Sequence, residues 1–376
     1  MSLPDWLVIT GYIIAMIGLS VYLGRRQTDQ EDYFVGGRNL PWWAVGISTM
    51  ATQTSAISFI SIPAFVALKP GGGLTWLQYE LAVPLSMIAV MVLLIPFFRR
   101  LKLVSIYAYL EMRYGRPVRT TVCLVFLISR GLMTGVGVYA SGIVLSVCLG
   151  ISLELTILIM GGVTIVYDTI GGITAVVYSD VIQMVVLVFG LLLCIGFAVD
   201  MAGGMEAVWT SLPESRRQAI DLSSGLQSAA GAPFWAFLVG GFFLYTAYYG
   251  TDQSQVQREL SARTTAETKI SLMLNGFVRF PLTFLYVIMG VAIWAVYQNS
   301  PALLAGTPFG HPDYLVPHFV SQFIPAGLRG MIFAALLASA MSSLDSALNS
   351  LSAATMKDFV EPRVKNTRFV MMSLFH

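Results

Sequence analysis

Residues 50–63 read MATQTSAISFISIP, inside an apolar run that extends over 43–68. A run of roughly 20 apolar residues crosses a bilayer as a helix. This one carries Thr52, Gln53, Thr54, Ser55, Ser58 and Ser61 in its middle and then Pro63. Hydroxyls compete with the helix for backbone carbonyls, and proline removes a donor. The stretch therefore predicts a membrane helix that opens at its centre. The competing reading is a proline-kinked helix whose hydroxyls satisfy themselves, since hydrocarbon tolerates open backbone only where it is covered or lines a cavity.

Further along the chain, GAPFWAFLVGGFFLYTAYYG (231–250) is a second interrupted run, with Gly240–Gly241 at its middle and Tyr245, Tyr248 and Tyr249 near its end. Four other apolar runs separate the two. Interruptions at corresponding places suggest two inverted five-helix repeats, the sequence mark of a transporter's binding site. A third stretch, AALLASAMSSLDSALN (334–349), places Ser339, Ser342, Ser343 and Ser346 on one helical face with Asp345 beside it. Small residues let membrane helices pack closely. That explains the alanines but not a carboxylate, which is costly in hydrocarbon unless something binds there. Several oxygens without nitrogen or sulfur suit a hard cation such as sodium.

Composition agrees with a membrane protein. The chain has 376 residues, of which 56% are hydrophobic and 11% charged, with a mean hydropathy of +0.74; soluble domains carry about 25% charged residues. Cys123, Cys148 and Cys194 match no metal or redox spacing, and His311, His318 and His376 form no cluster. The first apolar run, 6–23, lacks the basic lead of a cleaved signal. No phosphate loop, nucleophile elbow or HExxH is present, so neither an ATP-driven pump nor an enzyme is expected.

Nine spans are predicted: 6–23, 43–68, 77–98, 120–149, 152–167, 181–199, 233–249, 270–297 and 330–353. With the N-terminus outside, sixteen of the 22 Lys and Arg residues fall in inside loops and four outside. That bias predicts a plasma-membrane protein whose C-terminal end is cytoplasmic. Arg258 is among the inside-loop charges. Arg130 and Arg279 lie within spans, roughly 15 Å along their helices, which strains snorkelling. They are expected to have buried polar roles, with Gln78 and Glu80 as partners.

DYFVGGRNLPWWAVGIS (32–48), PFFRRLKLVSIYAYLEMRYG (96–115), GGITAVVYSDVIQ (171–183) and TDQSQVQRELSAR (251–263) together resemble the sodium:solute symporter family, over about residues 5–360. The family includes sodium-coupled sugar, proline, pantothenate, sialic acid, monocarboxylate and iodide transporters. The resemblance implies an all-α polytopic protein of LeuT-type inverted-repeat fold with an extra N-terminal helix. It would be one transmembrane transporter domain over 1–376, with the extra helix at 6–23, repeat one at 43–199 and an incomplete repeat two at 233–376. The chain ends at RFVMMSLFH, where the family's next helix should begin, so truncation within the second repeat and impaired transport are expected.

Residue roles follow from the resemblance. The main sodium site takes carbonyls of Ala51, Thr54 and Ser339 and hydroxyls of Ser342 and Ser343. A second sodium site in some members corresponds to Asp180, Asp345 and Ser346. Asp345 stands where those members have serine, so the pair would hold a sodium, a shared proton or an arginine; alternatively Asp180 merely caps the inner end of its helix. Solute contacts map to Ser55, Ser58, Gln78, Arg130 and Arg279. The implied function is sodium-coupled symport of a small organic solute into the cell, a carboxylate such as a sialic acid. Neutral sugar or polyol uptake and a non-transporting membrane sensor are the alternatives. Partners are the solute, sodium and the lipid bilayer, with no nucleic acid.

Overall fold

The computed structural model describes residues 1–361 apart from 26, 28–29, 102–104, 223–232 and 300–311. The chain end RFVMMSLFH, His311 and the start of the 231–250 run lie outside the described residues. Among the described residues the fold is helical, with a lone backbone bridge between Leu40 and Ala262 and no strand.

The first span, α1 (Leu3–Gly24), is started by a capping box. Asp5 accepts from the Ser2 amide at 2.9 Å and from its hydroxyl at 2.7 Å, and Pro4 occupies the first turn. Asp5 also accepts from the Gly327 and Gly330 amides and pairs with Arg329 at 2.7 Å. One buried carboxylate thus ties α1 to the start of the last span. The next span is two helices, α2 (Trp42–Gln53) and α3 (Ala56–Ala67), bent by 62°. The third, α4 (Leu74–Leu101), opens as a 3-10 helix and contains a π turn at Val90–Leu94. Gly115 leads into α5 (Arg116–Leu149), with Pro117 in its first turn.

The helical segment α6 (Leu153–Ala202) covers the predicted spans 152–167 and 181–199 and is kinked between them. As one straight helix, fifty residues would rise about 75 Å, far more than a bilayer is thick. Gly172 divides it, with φ 52° and ψ −161°. A Cβ there would lie 2.7 Å from the Tyr33 carbonyl oxygen, so only glycine satisfies both the backbone angle and the close approach.

Beyond the undescribed segment come α7 (Phe234–Thr251), α8 (Gln253–Glu259), α9 (Thr265–Asn299) and α10 (Leu328–Thr355). The predicted interruption at Gly240–Gly241 is not observed, because α7 runs through it unbroken. The break lies instead at Asp252, whose backbone is extended (φ −80°, ψ 126°) and whose carboxylate accepts from the Ser254 amide at 2.9 Å. That is an N-cap, and it starts α8 on a new axis.

α10 packs on α6, α5 and α1, while α9 packs on α2, α3 and α6. The apolar window of α10 is 83% buried, against 17% for α1. The hydroxyl stripe of α10 therefore faces protein on nearly every side, whereas α1 sits at the periphery. By length and apolarity six helices qualify as membrane spans, or seven with the bent pair α2–α3. The chain is a multi-pass membrane protein.

Candidate functional site

The break between α2 and α3 is built from local chemistry. Thr52 donates to the Ser48 carbonyl at 3.0 Å and Thr54 to the Met50 carbonyl at 2.9 Å. The Thr54 amide closes on Ala51 at 2.9 Å, a tighter bond than the α-helical one. Ser55 then turns extended, and its hydroxyl accepts from the Ser58 amide at 3.3 Å, capping α3. Pro63 lies within α3, past the break.

The hydroxyl face of α10 meets these opened carbonyls. Ser339 donates to the Thr54 carbonyl at 2.6 Å, and Ser343 to the Thr52 carbonyl at 3.2 Å. Of the expected sodium group Ala51, Thr54, Ser339, Ser342 and Ser343, the structure places Ser339 and Ser343 on the break. Within that group the Ala51 carbonyl accepts from Thr54, and the Ser342 hydroxyl is turned to Asp180 at 2.5 Å. Hydroxyls can rotate, so donors to carbonyls become lone pairs beside them when a cation arrives. No three His, Cys, Asp or Glu side chains are placed to share a metal among the described residues. The donor set is carbonyl and hydroxyl oxygen, which suits a hard monovalent ion.

Deeper in, Asp180 is fully buried and lies well inside α6, so the helix-cap reading does not hold. Its carboxylate accepts from Ser48 and Ser342, each at 2.5 Å, and pairs with Arg258 at 3.2 Å. Arg258 also donates to Thr52 and, at 2.5 Å, to Ser346. Asp345 accepts from Tyr167 at 2.5 Å and from Ser346 at 3.1 Å. Asp180, Asp345 and Ser346 are therefore assembled, but with Arg258 joining Asp180 to Ser346.

Arg258 is not a loop charge, as its polar neighbourhood predicts; it is 0% exposed. All seven residues of α8 are buried. Hydropathy cannot distinguish such a helix from a solvated turn. The only pointer to Arg258 is its position within TDQSQVQRELSAR.

Beside the break lies a cavity of about 410 Å³, whose lining includes Thr52, Gln53, Ser55, Arg130, Arg279 and Ser343. Neither arginine snorkels. Arg279 donates to Glu80 at 2.5 Å, reaches the Tyr249 hydroxyl at 3.4 Å, and stacks over the Tyr245 ring at 5.4 Å. Tyr249 in turn donates to Gln53 at 2.7 Å, joining this cluster to the break. Arg130 faces Asp252 at 3.4 Å and lies over the Tyr248 ring at 5.9 Å, while its buried Nε has no hydrogen-bond partner. Ser58 and Gln78 are not part of this lining. The Ser58 amide serves the Ser55 cap, and buried Gln78 accepts from the Asp221 amide at 3.0 Å, tying α4 to the connection after α6.

The family model of the sodium:solute symporter family matches residues 33–368. The chain is 32% identical over 354 residues to the human sodium/iodide cotransporter, covering 93% of this chain and 54% of that protein. It is 32% identical over 353 residues to the sodium/sialic acid symporter SiaT of Proteus mirabilis, covering 93% of this chain and 69% of that one. A solved structure of a Na+-coupled sialic acid symporter, in a substrate-bound outward-open state, superposes with a TM-score of 0.90 at 28% identity. That superposition covers 100% of this chain and 77% of the other. The chain thus spans about half to two-thirds of the length of these curated relatives. The relatives are transporters, not enzymes.

Proposed function

The chain belongs to the sodium:solute symporter family, and from that premise we propose that it carries the binding core of a sodium-coupled symporter that brings a small organic carboxylate, such as a sialic acid, into the cell. The observation that carries this reading is the shared break. Ser339 and Ser343 sit on carbonyls of the opened backbone, and Ser343 also borders, with Thr52 and Ser55, a cavity holding Arg130 and Arg279. Sodium would be held by Ala51, Thr54, Ser339, Ser342 and Ser343. Solute would contact Ser55, Arg130 and Arg279, with the Ser58 amide holding the Ser55 hydroxyl. Asp180, Asp345 and Ser346 form the second cation group, in which Arg258 supplies one positive charge.

In this reading the chain lies in the plasma membrane as one transmembrane domain: an extra helix at 6–23, repeat one at 43–199 and repeat two from 233 onward. The N-terminus lies outside and the C-terminal end in the cytoplasm. A sodium ion moving inward gains about 2.3 kcal/mol per 100 mV of membrane potential. Sodium at the break drives solute binding because both ligands favour the same arrangement of α2, α3 and α10.

A second reading, uptake of a neutral sugar or polyol, is favoured by one observation. Both cavity arginines already face carboxylates, Glu80 and Asp252, so the fixed charges occur in pairs. Guanidinium groups bound in that way still donate to hydroxyls. The test is a thermal-shift screen of carboxylates and polyols against the purified chain with sodium or choline. A sodium-dependent shift with a carboxylate is expected. A shift confined to polyols selects the second reading, and sodium-independent shifts refute coupling.

A further inference from the structure

A second cavity, of about 620 Å³, shares no lining residue with the first. It lies where the end of α4 meets the start of α9, and it is lined by Arg38, Arg99, Arg100, Arg263, Thr264 and Thr265, together with Pro96. Four guanidinium groups border one space. Arg38 and Arg99 both donate to the Leu260 carbonyl, at 3.5 and 3.1 Å, so two like charges converge on a single backbone oxygen. Arg99 also donates to the Ala262 carbonyl at 2.7 Å, and Arg263 to the Asn39 carbonyl at 3.2 Å. These bonds hold Arg38, Arg99 and Arg263 in place without neutralising them.

Two carboxylates lie nearby. Glu31 pairs with Arg38 at 2.8 Å, and Glu267 accepts from the Arg263 amide at 3.2 Å. Among the described residues, Arg99, Arg100 and Arg263 have no ion-pair partner. The cavity keeps an excess of positive charge. The start of α9, a 35-residue helix, adds the positive end of its dipole and the hydroxyls of Thr264 and Thr265.

Planar guanidinium forks and a helix start are matched to phosphate oxygens. The surroundings favour a phosphate that carries acyl chains. On α4, Leu93 and Phe97 are exposed ahead of Arg99 and Arg100, and on α9 Ile270 and Met273 are exposed beyond Arg263 and the helix start. α4 and α9 pack against each other there, leaving apolar side chains beside a charged head site. Basic pockets between spans at the membrane surface recognise anionic lipid headgroups.

The geometry points to this cavity as a binding site for an anionic phosphate headgroup whose acyl chains lie along α4 and α9. The site is separate from the solute cavity, and the proposal does not depend on the transport reading.

The test places the purified chain in phosphatidylcholine nanodiscs with or without phosphatidylglycerol and reads its unfolding midpoint at constant ionic strength. A third arm adds inorganic phosphate to the phosphatidylcholine discs. The midpoint is expected to rise with phosphatidylglycerol. The rise should vanish in R100Q/R263Q and persist in R100K/R263K, which keeps the charge and controls for folding. A rise with inorganic phosphate that needs the same arginines supports the site with a soluble occupant. An equal response to phosphatidylglycerol in wild type and R100Q/R263Q, with no arginine-dependent phosphate effect, overturns the proposal.

Discussion

Replacing Arg258 with leucine should make the protein unstable in a way that sodium repairs. The guanidinium lies 3.2 Å from Asp180, and both side chains are fully buried. At an effective dielectric of about 20, unit charges at that distance attract by about 5 kcal/mol. Removing one partner of a buried pair costs about 3–5 kcal/mol, because the other charge is stranded. For a chain of this size that predicts a fall of roughly 4–6 °C in the unfolding midpoint. Ser48 and Ser342 still hold the Asp180 carboxylate in Arg258→Leu, and the vacated space suits a small cation. At a sodium concentration a hundred times the new site's dissociation constant, binding returns about 2.7 kcal/mol. The assay is thermal unfolding in detergent as sodium replaces choline at fixed ionic strength. Arg258→Leu should start lower than wild type and rise further with sodium. Adding Asp180→Asn should restore most of the loss and abolish the extra rise. A midpoint in choline equal to wild type refutes the charge argument. So does a loss that Asp180→Asn leaves unrepaired.

Other perturbations test the remaining parts. Ser343→Ala should raise the sodium concentration for half-maximal binding about tenfold, in line with a lost hydrogen bond to a charge; an unchanged titration in both Ser342→Ala and Ser343→Ala removes the hydroxyls from the ion site. Arg279→Gln combined with Glu80→Gln avoids a stranded carboxylate and should weaken solute binding at least tenfold by calorimetry while the chain stays folded; wild-type affinity would make the pair structural. Gly290→Ala places a Cβ 2.8 Å from the Pro63 Cα, and overpacking α9 against α3 should cost about 1–3 kcal/mol, read as a lower unfolding midpoint. Asp345→Ser removes the acceptor of Tyr167. If Asp345 contributes a cation or proton site, the pH dependence of sodium binding should change, and an unchanged profile assigns it to structure alone.

The first break was legible because its cause is local. Thr52, Thr54 and Ser55 bond to backbone within four residues, so sequence order contains the geometry. The pairing of Arg279 with Glu80 was legible for another reason, since a charge that deep needs a partner. The second break was misplaced. A glycine pair tolerates bending but does not require it, whereas Asp252 ends α7 by capping α8. Arg258 was misread, although an arginine partner for the Asp180 group was among the expectations. The burial of both depends on α2, α6, α8 and α10 converging, and no window along one segment reports that. The division of α6 was visible as two apolar runs, although its mechanism, a glycine pressed against Tyr33, was not.

The interrupted span also has an electrical consequence. A continuous helix hides its dipole ends at the membrane surfaces, whereas one opened at its centre brings two ends of opposite sign together in mid-membrane. Here α2 presents its carbonyl end at Gln53 and α3 its amide end at Ala56, separated by two residues, Thr54 and Ser55. Each end carries about half an elementary charge, negative at the first and positive at the second. A cation against α2 and an anion against α3 would each be stabilised, and each would screen the other. Either ion alone would leave a net charge deep in a low-dielectric medium. The break therefore favours oppositely charged ligands arriving as a neutral pair, which is a reason for coupling that lies in the backbone itself.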